Sequence, residues 1–111
     1  MTLTIDFEQP VFSSEITDRL TTTDLDDFYI NSAEIDKLNL CFCLLASAHH
    51  YQSEANFPKA AKLYFLIAYY LFVPLTPPGS EELALYYINK AISLNPLPEY
   101  KEWLSIIEKG N

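Results

Sequence analysis

The sequence predicts an all-α protein on three grounds: few glycines, apolar residues at helical spacing, and paired helix start and stop signals. Only two glycines occur in 111 residues, whereas a β-rich fold needs positive-φ residues at many tight turns. Half of the chain is apolar and 14% is aromatic, enough for one core and too much for disorder. A chain of this length is expected to form one domain. The pattern divides into an N-terminal arm, 1–12, and a single helical domain, 13–111, of about five helices in antiparallel hairpins.

The arm alternates Leu3, Ile5 and Phe7 with polar neighbours before Pro10, which fits either a short strand or an extended segment. From Ser13 to Tyr29, Ile16, Leu20, Leu25 and Phe28 keep helix-like spacing around Thr21-Thr22-Thr23. Three β-branched residues in a row disfavour a helix interior, so one or two short helices are expected, with Thr22 or Thr23 as a cap. Asn31-Ser32-Ala33-Glu34 has the form of a capping box opening a longer helix. Ile35, Leu38, Phe42 and Leu45 follow, flanked by Cys41, Leu44 and Ala48, a stripe wide enough to predict burial on most sides. That helix is expected to end near Glu54 or Ala55.

Asn56 then caps a helix that tolerates Pro58 in its first turn, where a missing N–H has no helical partner. Residues from Ala60 to Val73 are apolar almost all round, which marks the central helix of the core. Pro74, Pro77, Pro78 and Gly79 end it in a loop. Ser80 is expected to cap the next helix, with Glu81 and Glu82 favoured by the dipole of its first turn. Leu83, Ala84, Tyr87, Ile88, Ala91 and Ile92 form its apolar face, and Asn95-Pro96 stops it. Pro98 starts a last helix through Trp103, Ile106 and Ile107, with Lys109 in the final turn and Gly110 as its stop.

The formal charge is −8, from fifteen acids against seven bases. Such a balance repels phosphate backbones and anionic lipid, so neither nucleic acid nor membrane is an expected partner. The acids concentrate toward the N-terminus, at Asp6, Glu8, Glu15, Asp18, Asp24, Asp26, Asp27, Glu34 and Asp36. They read as a solvated face, a patch for a basic partner, or an active-site cluster. Cys41 and Cys43 point to different faces of a helix, which disfavours a disulfide and suits reduced thiols in a cytosolic protein. The N-terminal residues lack a basic and then apolar leader pattern. The longest apolar run, Leu63 to Leu75, falls short of the ~20 residues of a membrane helix.

Ala48, Tyr51, Ala55, Phe57, Ala60 and Tyr64 alternate small and aromatic residues in a way that resembles a tetratricopeptide repeat. Gly79, Ala84, Ile88, Ala91, Leu94 and Pro96 resemble the turn and second helix of such a repeat. The likeness departs from the family at Ile67, where Ala is usual, and at Phe72, where Pro is usual. The two matches are also out of phase, since one makes 57–73 a second helix and the other a first. What the resemblance implies is a degenerate TPR-like right-handed array over about 42–109, closed by the N-terminal helices or by a partner. Small acidic proteins of this kind look like chaperones of bacterial type III secretion systems. The resemblance thus implies a non-enzymatic cytoplasmic chaperone or adaptor that holds a helix or extended segment of another protein.

The family's inner binding face maps onto Phe42, Leu45, His49 and Gln52. The alternative phase adds Phe65, Tyr69 and Phe72, and Tyr100 and Trp103 on the terminal helix close the end of the groove. A purely core role competes for Leu45, Phe65 and Phe72, whereas His49, Tyr69, Tyr100 and Trp103 carry polar handles or a terminal position. A metal reading of His49-His50 with the cysteines fails on distance: Cys43 and His50 lie ~10 Å apart along a helix, too far for zinc bonds of ~2.0–2.3 Å. No nucleophile triad, phosphate loop or paired-carboxylate spacing stands out, and no cofactor is expected. The rival readings are a self-associating structural subunit and an enzyme with an unrecognised site.

Overall fold

A computed structural model of the chain describes residues 1–110. Among these residues there are six α-helices and no strand: α1 (Ser14–Arg19), α2 (Thr22–Asn31), α3 (Glu34–Ser53), α4 (Phe57–Tyr70), α5 (Ser80–Leu94) and α6 (Pro98–Lys109). The sequence predicted about five, with one or two short helices between Ser13 and Tyr29; the chain forms two there, α1 and α2.

Side-chain contacts fix the helix directions. Tyr64 meets Gln52, and Tyr70 meets Lys37, so positions rise along α4 as they fall along α3 and the two form an antiparallel hairpin. Asp26 meets Tyr69 and Tyr29 meets Tyr70, which makes α2 run with α4. Tyr100 lies on Phe65 and Trp103 on Tyr69, which makes α6 run with α4 as well. Helix α4 is the axis of the molecule, and every residue from Leu63 to Tyr70 is buried.

The cap residues differ from those read in the sequence. Thr21 caps α2, because its hydroxyl accepts from the Asp24 N–H while the Asp24 carboxylate accepts from the Thr21 N–H at 2.9 Å. Asn31 does not open α3. It is the last residue of α2, and its amide donates back to the Asp27 carbonyl. Ala33 holds the cap position of α3 with no side-chain bond, and Glu34 pairs instead with Lys37 at 2.9 Å. Ser80 is the first helical residue of α5, and Gly79 is its cap at φ 79°. Asn56 caps α4 and Pro98 opens α6, as the sequence predicts.

Residues 1–12 form no strand. They lie along the helices as an ordered arm with Leu3 and Phe12 buried. The Phe12 N–H donates to Ser47 Oγ at 2.8 Å, and the Tyr51 hydroxyl donates to the Phe12 carbonyl at 2.7 Å. Both backbone groups of one arm residue are thereby satisfied by α3.

The end of α4 widens into a π-helical turn, Leu71–Leu75, that contains Pro74. It closes with the Thr76 N–H donating to the Leu71 carbonyl at 3.1 Å. The Leu75 side chain is thereby placed beside α3.

Candidate functional site

Helix α3 has two apolar stripes, and the structure buries the one with the smaller side chains. Leu40, Cys43, Leu44, Ser47, Ala48 and Tyr51 face inward; Ser47 and Ala48 permit close approach to neighbouring backbone. The stripe singled out in the sequence, predicted buried on most sides, instead turns outward. Ile35, Leu38 and Phe42 are 63%, 46% and 68% exposed. Leu45 is half-buried and His49 is exposed on the same side. From Leu38 through Ser53 the helix carries no Asp, Glu, Lys or Arg. In a chain of charge −8, this is a long uncharged face open to solvent.

Beside that stripe, Tyr29, Glu34, Ile35, Lys37, Leu38 and Leu75 surround a cavity of about 430 Å³. Lys37 is held there by Glu34 and lies 4.3 Å over the Tyr29 ring. Its amine stays above its ordinary pKa, first because Glu34 accepts its hydrogen bond.

Further along α3, Gln52 accepts from the Tyr64 hydroxyl at 2.6 Å and His49 meets the Tyr64 ring edge-on at 6.0 Å. Tyr87 of α5 stacks on the same ring at 5.9 Å, and Lys90 stands 5.3 Å above it. These groups cover Tyr64 completely, so this part of the face is filled, not hollow. Burial pushes the Tyr64 and Tyr87 hydroxyls above their ordinary pKa.

The other expected residues lie between α2, α4 and α6. Phe65 and Tyr100 stack at 5.0 Å, and Trp103 meets Tyr69 edge-on at 5.2 Å. Tyr69 donates to both oxygens of the Asp26 carboxylate at 2.9 Å. Tyr69 and Tyr100 are buried, Trp103 half-buried. The Tyr69 hydroxyl is thus already bound to this chain's own carboxylate. Burial, then the Asp26 bond, pushes the Tyr69 hydroxyl up to about 12, and burial carries Tyr100 to about 12. Phe72 is buried in the π turn that follows α4. A second cavity of about 370 Å³ opens here, lined by Thr21, Lys62, Phe65 and Tyr100.

The chain matches no protein-family model, no curated protein and no solved structure. The seven expected partner-binding residues therefore stand on geometry, and geometry divides them. Phe42, Leu45, His49 and Gln52 share the outer side of α3, whereas Tyr69, Tyr100 and Trp103 pack on the other side of α4.

Sequence reading missed Ile35 and Leu38 as surface groups and the half-buried Tyr29 and Leu75 beside them. The signal available was the small pair Ser47-Ala48, which marks the inward stripe of α3 and so leaves the bulky one outward. The N-terminal acids are largely engaged: Asp18 with Lys59 at 2.6 Å, Asp24 in the Thr21 cap, Asp26 with Tyr69 and Glu15 with Arg19. The cysteines are inert by environment, as burial pushes the Cys41 thiol up to about 11 and raises Cys43 too. Among the described residues no cluster of His, Cys, Asp or Glu is placed to hold a metal, and no helix is long and apolar enough to cross a membrane.

Proposed function

We propose that this chain is a non-enzymatic protein-binding domain, a small chaperone or adaptor that holds a helix or extended polypeptide segment on the outer face of α3. The observation that carries the reading is the apolar, solvent-facing stripe of Ile35, Leu38 and Phe42. Isolated exposed apolar residues are ordinary, but a stripe continuing beside a cavity marks an interaction surface. Helix-in-groove recognition uses apolar anchors at this spacing.

The reading agrees with a TPR-like arrangement in which α3 and α5 share the binding side, since Phe42, Leu45, His49 and Gln52 all lie there. The likeness to secretion chaperones extends it to an aggregation-prone cargo that stabilises the domain on binding. Wild-type protein carrying a tag should recover a stoichiometric polypeptide from lysate of its source and gain melting temperature from it. Phe42→Glu should fold with an unchanged melting temperature and recover none. A wild type that recovers no polypeptide, while small molecules raise its melting temperature, would overturn the proposal.

A further inference from the structure

We propose that the cavity between α4 and the starts of α2 and α6 binds a free apolar α-amino acid. Its carboxylate meets Lys62, its ammonium meets Glu99, and its side chain rests on the apolar wall between them. The site lies across α4 from the α3 face, and it does not depend on what docks there.

The cavity measures about 370 Å³. That is near the low end of the ~300–1,000 Å³ of ligand clefts, so it suits a small molecule and not a nucleotide. Leu20, Phe65, Leu66 and Leu97 give it apolar walls. Phe65 is backed by Tyr100, which stacks on it at 5.0 Å, and both are buried. These walls are formed before any ligand arrives, so ordering them costs little on binding.

Lys62 is the cation of this space, and among the described residues no carboxylate pairs with it. Asp18 serves two lysines: its carboxylate pairs with Lys59 at 2.6 Å, and its backbone carbonyl accepts from Lys62 at 2.7 Å. An ammonium carries three donors, so one neutral carbonyl leaves two of them, and the charge, unanswered. Burial first, and then the Lys59 charge, hold the Lys62 pKa below its ordinary value against the pull of Asp18, Glu99 and Asp24. A ligand carboxylate would supply the missing charge. Helix α2 begins at the same cavity with Thr21 and Thr22. The N–H of a first helical residue has no acceptor within its helix, and the positive end of the helix favours the same carboxylate.

Glu99 stands on the other wall, exposed at the start of α6. Its charge reaches the Lys62 amine, yet the two form no ion pair, and a gap between opposite charges is left open. A plain carboxylate would bring its charge up against Glu99, and a plain amine up against Lys62. A phosphorylated ligand would be repelled by Glu99 and by the net charge of −8. One carbon carrying both an ammonium and a carboxylate answers both walls, and the leucine-rich lining selects an apolar side chain.

Isothermal titration of the full chain with L-leucine should show one site, with a dissociation constant of about 0.1–1 mM. Isocaproate, which lacks the ammonium, and isoamylamine, which lacks the carboxylate, should each bind at least about tenfold more weakly. Glu99→Gln should weaken leucine about tenfold while leaving isocaproate as tight as before or tighter. Lys62→Met should weaken leucine and isocaproate but not isoamylamine. Both variants should keep the wild-type helix circular dichroism. If Lys62→Met does not, the Glu99→Gln contrast decides alone, since Glu99 is exposed. No binding of leucine, isoleucine or phenylalanine by about 10 mM would overturn the inference. So would isocaproate that matches leucine in the wild type, or a Glu99→Gln variant that weakens both ligands equally.

Discussion

Ala55 occupies a position built for glycine. Helix α3 ends with the Asn56 N–H donating to the Tyr51 carbonyl at 2.9 Å and the Ala55 N–H to the Gln52 carbonyl at 3.0 Å, the pair of bonds of a Schellman motif. That motif needs a left-handed residue, and Ala55 supplies it at φ 59°. A Cβ there costs about 1–2 kcal/mol, while glycine would lose about 0.5–1 kcal/mol of chain entropy. Ala55→Gly should thus raise stability by about 0.5–1 kcal/mol in urea unfolding; a loss would show that the Cβ makes a contact worth more than its strain. Thr76 at φ 43° is a second such position, and β-branching makes it the more strained. Neither could be read from the sequence, because a left-handed residue that is not Gly or Asn carries no local signal.

At the scale of elements, side-chain bonds decide what the arm and α6 do. Ser47 accepts from the Phe12 N–H at 2.8 Å and donates to the Cys43 carbonyl at 2.7 Å, both in buried surroundings. Ser47→Ala leaves that N–H unpaired at a cost of about 1–3 kcal/mol, which the arm can avoid only by detaching. Limited proteolysis should then cut within residues 1–12 of the variant before it cuts the helices, with wild type resistant at the same dose. Trp103, half-buried on Phe65 and Tyr69, should cost about 2–3 kcal/mol as Trp103→Ala, less than the ~3–5 of a fully buried ring. Equal stability of that variant would mean that α6 is held by Tyr100 and Ile107 alone. The helices themselves were legible: Asn56, Asn95-Pro96 and Pro98 mark their ends by backbone chemistry that needs no tertiary partner. The start of α3 was not, since Asn31-Ser32-Ala33-Glu34 fits a capping box and yet Asn31 completes the helix before it. Likewise periodicity picked out the stripe of Ile35, Leu38, Phe42 and Leu45, but whether that stripe faces α4 depends on how closely Ser47 and Ala48 let the backbones approach.

The whole molecule is organised around buried phenols, and this gives its stability a dependence on alkali. Burial, reinforced for Tyr69 by the Asp26 bond, holds Tyr69 and Tyr100 at about 12 against an ordinary 10.0. Burial drives Tyr70 still higher, where its hydroxyl donates to the Lys37 carbonyl at 2.6 Å and ties α4 to α3. A group whose pKa is raised by folding adds stability that is complete below its unfolded value and is lost as the pH climbs through its folded one. The loss should therefore begin near pH 9 with Cys41, raised from 9.0 to about 11, and deepen between pH 10 and 12 as the tyrosines follow. Acid works on fewer groups. Burial acts to raise Asp24, but the Thr21 N–H and hydroxyl and the α-amino group outweigh it and hold its pKa below 3.8. Its share of stability is present above that value and lost as the pH falls beneath it. Titration followed by tyrosinate absorbance and helix circular dichroism should show the buried phenols ionising together with loss of helix. Tyr69→Phe removes one raised group but leaves Asp26 without its donor, so it should lower stability at neutral pH and flatten the alkaline loss. Helix signal that survives unchanged after all the tyrosines have ionised would mean that α4 is not closed off from water as its burial requires.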